Sequence, residues 1–152
     1  MKNILFVCTG NTCRSCMAEA IFNNKCDIDN LKAISAGIAV LNNSKTSKNS
    51  AIVTKESISI DLSNRNAVQL TESTLENSEL ILTMTTYIRD FLGDKFPGFE
   101  HKIYTLNEYI SMEKDIVDPF GGDIETYRHT YRQLESSIVL LLNKLKEDIG
   151  IV

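Results

Sequence analysis

Apolar residues first gather at positions 3 to 7, where "NILFV" makes a short branched run bounded by a glycine-containing turn. That combination predicts a buried strand. From Ser15 the spacing changes: Met17, Ala20 and Ile21 recur at three- to four-residue intervals, and "MAEAIF" contains strong helix formers. Ser15 stands where an N-cap would, with Ala18 and Glu19 in the first turn. "LKAISAG", residues 31 to 37, predicts a second strand ended by Gly37. Residues 38 to 50 form a polar loop rich in Asn, Ser and Lys, and residues 49 to 58 fit a helix. "ELILTMT", residues 79 to 85, predicts a third buried strand, followed by a helix through "YIRDFLG" that closes at Gly93. "KIYTL", residues 102 to 106, predicts a fourth strand.

Residues 111 to 123, "SMEKDIVDPFGGD", hold a proline and a glycine pair and read as an exposed loop. From Ile124 onward, Ile124, Tyr127, Tyr131, Leu134, Ile138, Leu141 and Leu145 step by three or four, which predicts a long amphipathic helix over one face of the sheet. Strands alternating with helices imply an α/β fold: right-handed crossovers, a parallel sheet and ligands beyond the carboxyl ends of the strands. No repeat or linker interrupts the pattern. At 152 residues the chain is expected to form one domain, residues 1 to 152, with a core that needs no disulfide or metal staple.

Composition narrows the functional classes. Hydrophobic residues at 43% and charged residues at 24% are ordinary for a globular protein, and a net charge of -4 argues against a nucleic-acid partner. The longest apolar run, "IVLLL" at 138 to 142, is far shorter than the roughly 20 residues that span a bilayer. The apolar start is too brief for a secretory signal, so a cytoplasmic protein without membrane contact is expected. All four cysteines lie in the first 26 residues, which is no disulfide framework and suits a reducing compartment.

The candidate chemistry lies in "CTGNTCRS", residues 8 to 15, between a strand end and a helix start. There, backbone N–H groups without helical partners can converge on an anion. Gly10 permits unusual backbone conformations and Asn11 tolerates the left-handed region, so the loop can curl its amides inward around a tetrahedral oxyanion. Cys8 would lie at the base of that cup, where the helix dipole, the amides and Arg14 favour a nucleophilic thiolate. Arg14 offers a planar fork for two phosphoryl oxygens. Ser15 can donate to the sulfur as it leaves. Asp118, which Pro119 restricts to extended conformations, is the candidate acid for the leaving group and base for the hydrolytic water. A Cys–His dyad has little support, since His101 and His129 lie near no motif.

These residues resemble the low-molecular-weight protein tyrosine phosphatase family. The resemblance is carried by "CTGNTCRS" with "MAEA" and the distant "DPF": Cys, five residues, Arg and Ser, then Asp-Pro about 110 residues later. "SAG" at 35 to 37, "DLS" at 61 to 63, "LT" at 70 to 71 and "MT" at 84 to 85 extend it along the chain. It implies a four-stranded parallel sheet flanked by helices on both faces, a cysteinyl-phosphate intermediate, phosphorylated protein substrates, and neither metal nor cofactor. By motif, Cys8 is nucleophile, Arg14 binds phosphate and Asp118 is general acid. Thr9, Gly10, Asn11, Thr12, Cys13 and Ser15 make the phosphate loop, and the hydrogen bonds of Asn11, Ser15 and Ser35 hold it in shape.

Thr12 stands where the tyrosine phosphatases usually have Ile or Leu, and "FGG" follows Asp-Pro where two aromatics are common. Both features resemble the bacterial protein-arginine phosphatases. A hydroxyl on the pocket wall can engage a guanidinium or orient water, whereas Ile only packs against a ring. Phe120 remains to flank the substrate, and Asp118 can pair with a guanidinium. Phosphotyrosine hydrolysis by the same residues is the alternative. An arsenate reductase would need resolving cysteines near mid-chain, and none follows Cys26. A zinc clip lacks regular ligand spacing, and a silent phosphate-binding module would need only the loop. Cys16 replaces the usual Pro, loses a helix-starting ring and adds a third thiol near Cys8. Cys13 has two readings: a small buried hydrophobe, or a thiol that forms a protective disulfide with oxidised Cys8.

Overall fold

The protein is described by a computed structural model over residues 2–148. Its strands are β1 (Lys2–Cys8), β2 (Leu31–Gly37), β3 (Leu80–Thr83) and β4 (Ile103–Thr105). They lie parallel in the order β2-β1-β3-β4. Ile4, Leu5, Phe6 and Val7 of β1 are all buried, as a central strand covered on both faces requires.

The helices are α1 (Arg14–Lys25), α2 (Lys48–Ile58), α3 (Glu72–Glu76), α4 (Thr86–Lys95), α5 (Leu106–Tyr109) and α6 (Ile124–Asp148). The step from β1 to β2 runs one way along the sheet and the step from β3 to β4 the other, so right-handed crossovers place α1 and α4 on opposite faces. α6 packs on α1 and shares its face. Beneath α1, Phe6 and Phe22 meet edge to face with ring centroids 5.9 Å apart. Each such fully buried side chain contributes about 1.5–3 kcal/mol. The strand order reverses beside β1, and the loop that leaves its carboxyl end opens where α/β sheets bind ligands.

Several boundaries differ from the sequence-based expectation. α1 starts at Arg14 with Cys13 at the N-cap and no side-chain cap, so Ser15 lies inside the first turn. Its hydroxyl is engaged by Cys8 and Asn11 instead. α4 runs through Gly93 to Lys95, and it is Pro97, by restricting Phe96, that ends it. β4 stops at Thr105, because that residue opens a capping box with Glu108. The 111–123 segment is mostly exposed, but Ile116 is buried and its N–H donates to Met84 O at 3.0 Å.

Candidate active site

The loop from Cys8 to Cys13 is held from outside. Its carbonyls at Cys8, Thr9 and Thr12 accept from the N–H groups of Ile38, Ala39 and Ser47, at 3.1, 2.9 and 2.9 Å. Among the described residues, the N–H groups of Thr9, Gly10, Thr12 and Cys13 donate to no protein acceptor. With carbonyls tied outward, amides remain for a ligand. Gly37 makes this packing possible: a Cβ there would lie 2.7 Å from Thr9 O and 2.9 Å from Asn11 N. Its role is to let the loop sit on the sheet, beyond the strand-ending role expected of it.

Asn11, not Gly10, takes the left-handed conformation, with φ 57°. The freedom expected of Gly10 is unused: its φ is not left-handed, and a Cβ would meet only Thr12 Oγ1 at 3.8 Å. The Asn11 side chain is 0% exposed and fully engaged. Its Nδ2 donates to Ser15 Oγ at 2.7 Å and Ser35 Oγ at 3.0 Å. Its Oδ1 accepts from Arg65 Nη1 at 3.0 Å and Val68 N at 2.9 Å. Arg65 also donates to Ser35 Oγ at 2.7 Å and pairs with Glu19 at 3.4 Å. Arg65 was not singled out from the sequence, and Glu19 was placed there only in the first turn of a helix.

Cys8 Sγ lies 2.8 Å from Ser15 Oγ and accepts from Asn11 N at 3.2 Å, so two donors are placed to stabilise negative charge on sulfur. Arg14 is buried and anchored by Nη1 donating to Ile116 O at 3.1 Å. Its Nη2 lies 3.6 Å from Asp118 Oδ2. Asp118 is 55% exposed in its side chain and accepts from Phe120 N at 3.0 Å. Gly121, with φ 80°, completes a tight turn in which Gly122 N donates to Pro119 O at 2.8 Å.

Cys8, Arg14, Asp118 and Phe120 line one cavity of about 410 Å³, together with Thr9, Gly10, Thr12 and Cys13. Asn11, Ser15 and Ser35 lie behind the loop as its supports. Ala39, Leu41 and Ser44 complete the wall, from the polar segment to which no role had been given. An exposed Leu in a run of Asn and Ser was the signal there: Leu41 is 78% exposed. Among the described residues no three His, Cys, Asp or Glu side chains come together as metal ligands would. Burial, then the nearby Cys8, pushes the Cys16 thiol up to about 12.

A match to the low molecular weight phosphotyrosine protein phosphatase family spans residues 3–150. The chain belongs to that family. The phosphatase is 38% identical to a protein-arginine-phosphatase of Geobacillus stearothermophilus, over 95% of this chain and 97% of the relative. It is 41% identical to the low molecular weight protein-tyrosine-phosphatase PtpB of Staphylococcus haemolyticus, over 94% and 96%. A solved structure of the YwlE arginine phosphatase, a cysteine-to-serine mutant with a phosphorylated active-site serine, superposes with a TM-score of 0.91 at 35% identity, covering 99% of each chain. The solved structure shares this fold, and overall identity does not separate the two named specificities.

Proposed function

We propose that this phosphatase hydrolyses phosphoarginine on proteins without metal or cofactor, through a phosphocysteine. The phosphoryl oxygens sit in the ring of loop amides and on the Arg14 fork. Cys8 Sγ attacks phosphorus, the P–N bond breaks, and Asp118 gives its proton to the departing guanidino nitrogen. Water then enters, Asp118 takes its proton, and the S–P bond breaks. Ser15 and Asn11 N hold the thiolate as it leaves. Arg14 and the amides keep their grip throughout, where charge develops.

The observation that carries the arginine reading is Thr12. It lines the cavity, and its hydroxyl has only a long 3.8 Å contact to Cys13 Sγ among the described residues. It is therefore free to meet a guanidinium, with exposed Asp118 and Phe120 in the same cavity to pair with and flank that group. Phosphotyrosine is the rival, favoured by the apolar pair Leu41 and Phe120, which suits a ring. Rates on matched phosphoarginine and phosphotyrosine peptides decide between them: kcat/KM should be higher on phosphoarginine, and the reverse order would sink this reading. Thr12→Ile should move the ratio towards phosphotyrosine by roughly 10-fold or more, and an unchanged ratio would remove Thr12 as the selector. A cytoplasmic site of action fits four free thiols. Among the described residues no helix is long and apolar enough to cross a membrane.

A further inference from the structure

Cys16 takes no part in the chemistry above. With Cys13 it forms "CRSC", Cys13 at the N-cap of α1 and Cys16 in the first turn. Two residues separate them at a helix start, the spacing of Cys-x-x-Cys pairs that open and close as disulfides. The Cys16 sulfur already leans towards its partner residue, donating to Cys13 O at 3.2 Å. Cys13 Sγ lies 3.5 Å from Ser47 Oγ, 3.7 Å from Tyr127 OH and 3.8 Å from Thr12 Oγ1, weak sulfur hydrogen bonds that it exchanges on turning towards Cys16. Cys13 also shares the cavity wall with Cys8.

We propose that Cys13 and Cys16 form a dithiol relay that takes over an oxidation begun at Cys8 and returns Cys8 to its nucleophilic thiolate. The proposal rests on Cys8 being the reactive thiol of the active site. A peroxide oxidises Cys8 to the sulfenic acid and leaves as water. The Cys13 thiol attacks that sulfur, forming a Cys8–Cys13 disulfide with release of a second water. Cys16 then bonds to Cys13, the Cys8–Cys13 bond breaks, Cys8 departs as thiolate, and the proton of Cys16 passes to solvent water. Two thiols have lost the two electrons that reduced the peroxide, and Cys8 is unchanged overall. A small thiol reductant later reopens the Cys13–Cys16 bond.

The direction of exchange follows from the geometry. Cys8 is a favourable leaving sulfur, because Ser15 Oγ and Asn11 N are placed on it at 2.8 and 3.2 Å. Cys16 is fully buried, so peroxide does not reach it and it enters only by contact with Cys13. Its position three residues beyond Cys13 at the helix start supplies what its low thiolate fraction lacks.

Trypsin cuts after Arg14, between the two cysteines, which makes the outcome readable by mass. Wild-type enzyme is treated with one equivalent of hydrogen peroxide, alkylated and digested. The expected product joins peptide 3–14 to peptide 15–25 through Cys13 and Cys16, with Cys8 alkylated. A loss of two hydrogens inside peptide 3–14, with Cys16 alkylated, would overturn the relay. Cys16→Ala should trap the Cys8–Cys13 form and lose more activity than wild type before reductant is added; equal losses count against the proposal. Cys8→Ser should give no joined peptides, and their formation there would show that oxidation enters elsewhere. Failure of the phosphatase reading would appear separately, as untreated wild type without turnover.

Discussion

The phosphate loop and the acid loop face one cavity and are held in opposite ways. In the first, the buried Asn11 side chain has four partners, Arg65 and Glu19 brace those partners, and three carbonyls are tied to neighbouring segments. In the second, Ile116 is pinned by Met84 and Arg14, yet two residues later Asp118 is held by one backbone bond and a 3.6 Å ion pair. Phe120 is 83% exposed. The contrast separates two tasks: an oxyanion site works best when built before the ligand arrives, whereas a proton donor must follow leaving groups of different shape.

Asp118→Asn tests the loosely held side and carries the largest effect. Turnover should fall roughly 100- to 10,000-fold, while thermal stability stays as in wild type and affinity for inorganic phosphate rises slightly as the carboxylate leaves the Arg14 fork. A parallel fall in phosphate affinity would mean that the acid loop helps build the anion site. Gly37→Ala tests the fixed side, since its Cβ would press on Thr9 O and Asn11 N. Overpacking there should cost about 1–3 kcal/mol in urea unfolding, and displacing the loop should lower kcat/KM roughly 100-fold. Unchanged phosphate affinity in this variant would show the loop to be pliable.

The smallest effect concerns the closure of the region behind the loop. Burial moves the Cys16 thiol from its ordinary 9.0 to about 12. The folded state therefore keeps a proton that the unfolded chain has lost, and stability falls as pH rises between those values, being fully present below the lower one. Tyr127 and Tyr131, each raised mainly by burial to about 12, add to the decline. Urea unfolding of Cys16→Ala across that range should show a shallower fall than wild type. An identical slope would mean that water reaches the thiol.

The parts of the fold readable from sequence were those with a long repeating signal. β1 and β2 have apolar runs closed by turns, and α6 keeps its apolar stripe through Leu145. α3 and α5 span five and four residues, too short to show a period. In the candidate site, Cys8, Arg14 and Asp118, which line one cavity, were singled out by loop chemistry and a distant Asp-Pro. Arg65 was not: its partners Asn11, Ser35 and Glu19 lie 54, 30 and 46 residues away, and nothing local distinguishes it from a solvated arginine. The N-cap expected at Ser15 falls instead to Cys13, whereas the expected contact of the Ser15 hydroxyl with the Cys8 sulfur is present at 2.8 Å.

The contact between Arg14 and Asp118 has a consequence for anion selectivity. In the resting enzyme the carboxylate lies against the fork that a phosphoryl group must occupy, so the protein carries its own weak competitor. A pair this exposed on one side is worth no more than about 1 kcal/mol. A dianion that also engages the loop amides displaces it readily, whereas chloride or a lone carboxylate gains little by doing so. The gate thus discriminates by charge and by number of contacts, and in the proposed mechanism its opening leaves Asp118 available to the leaving group.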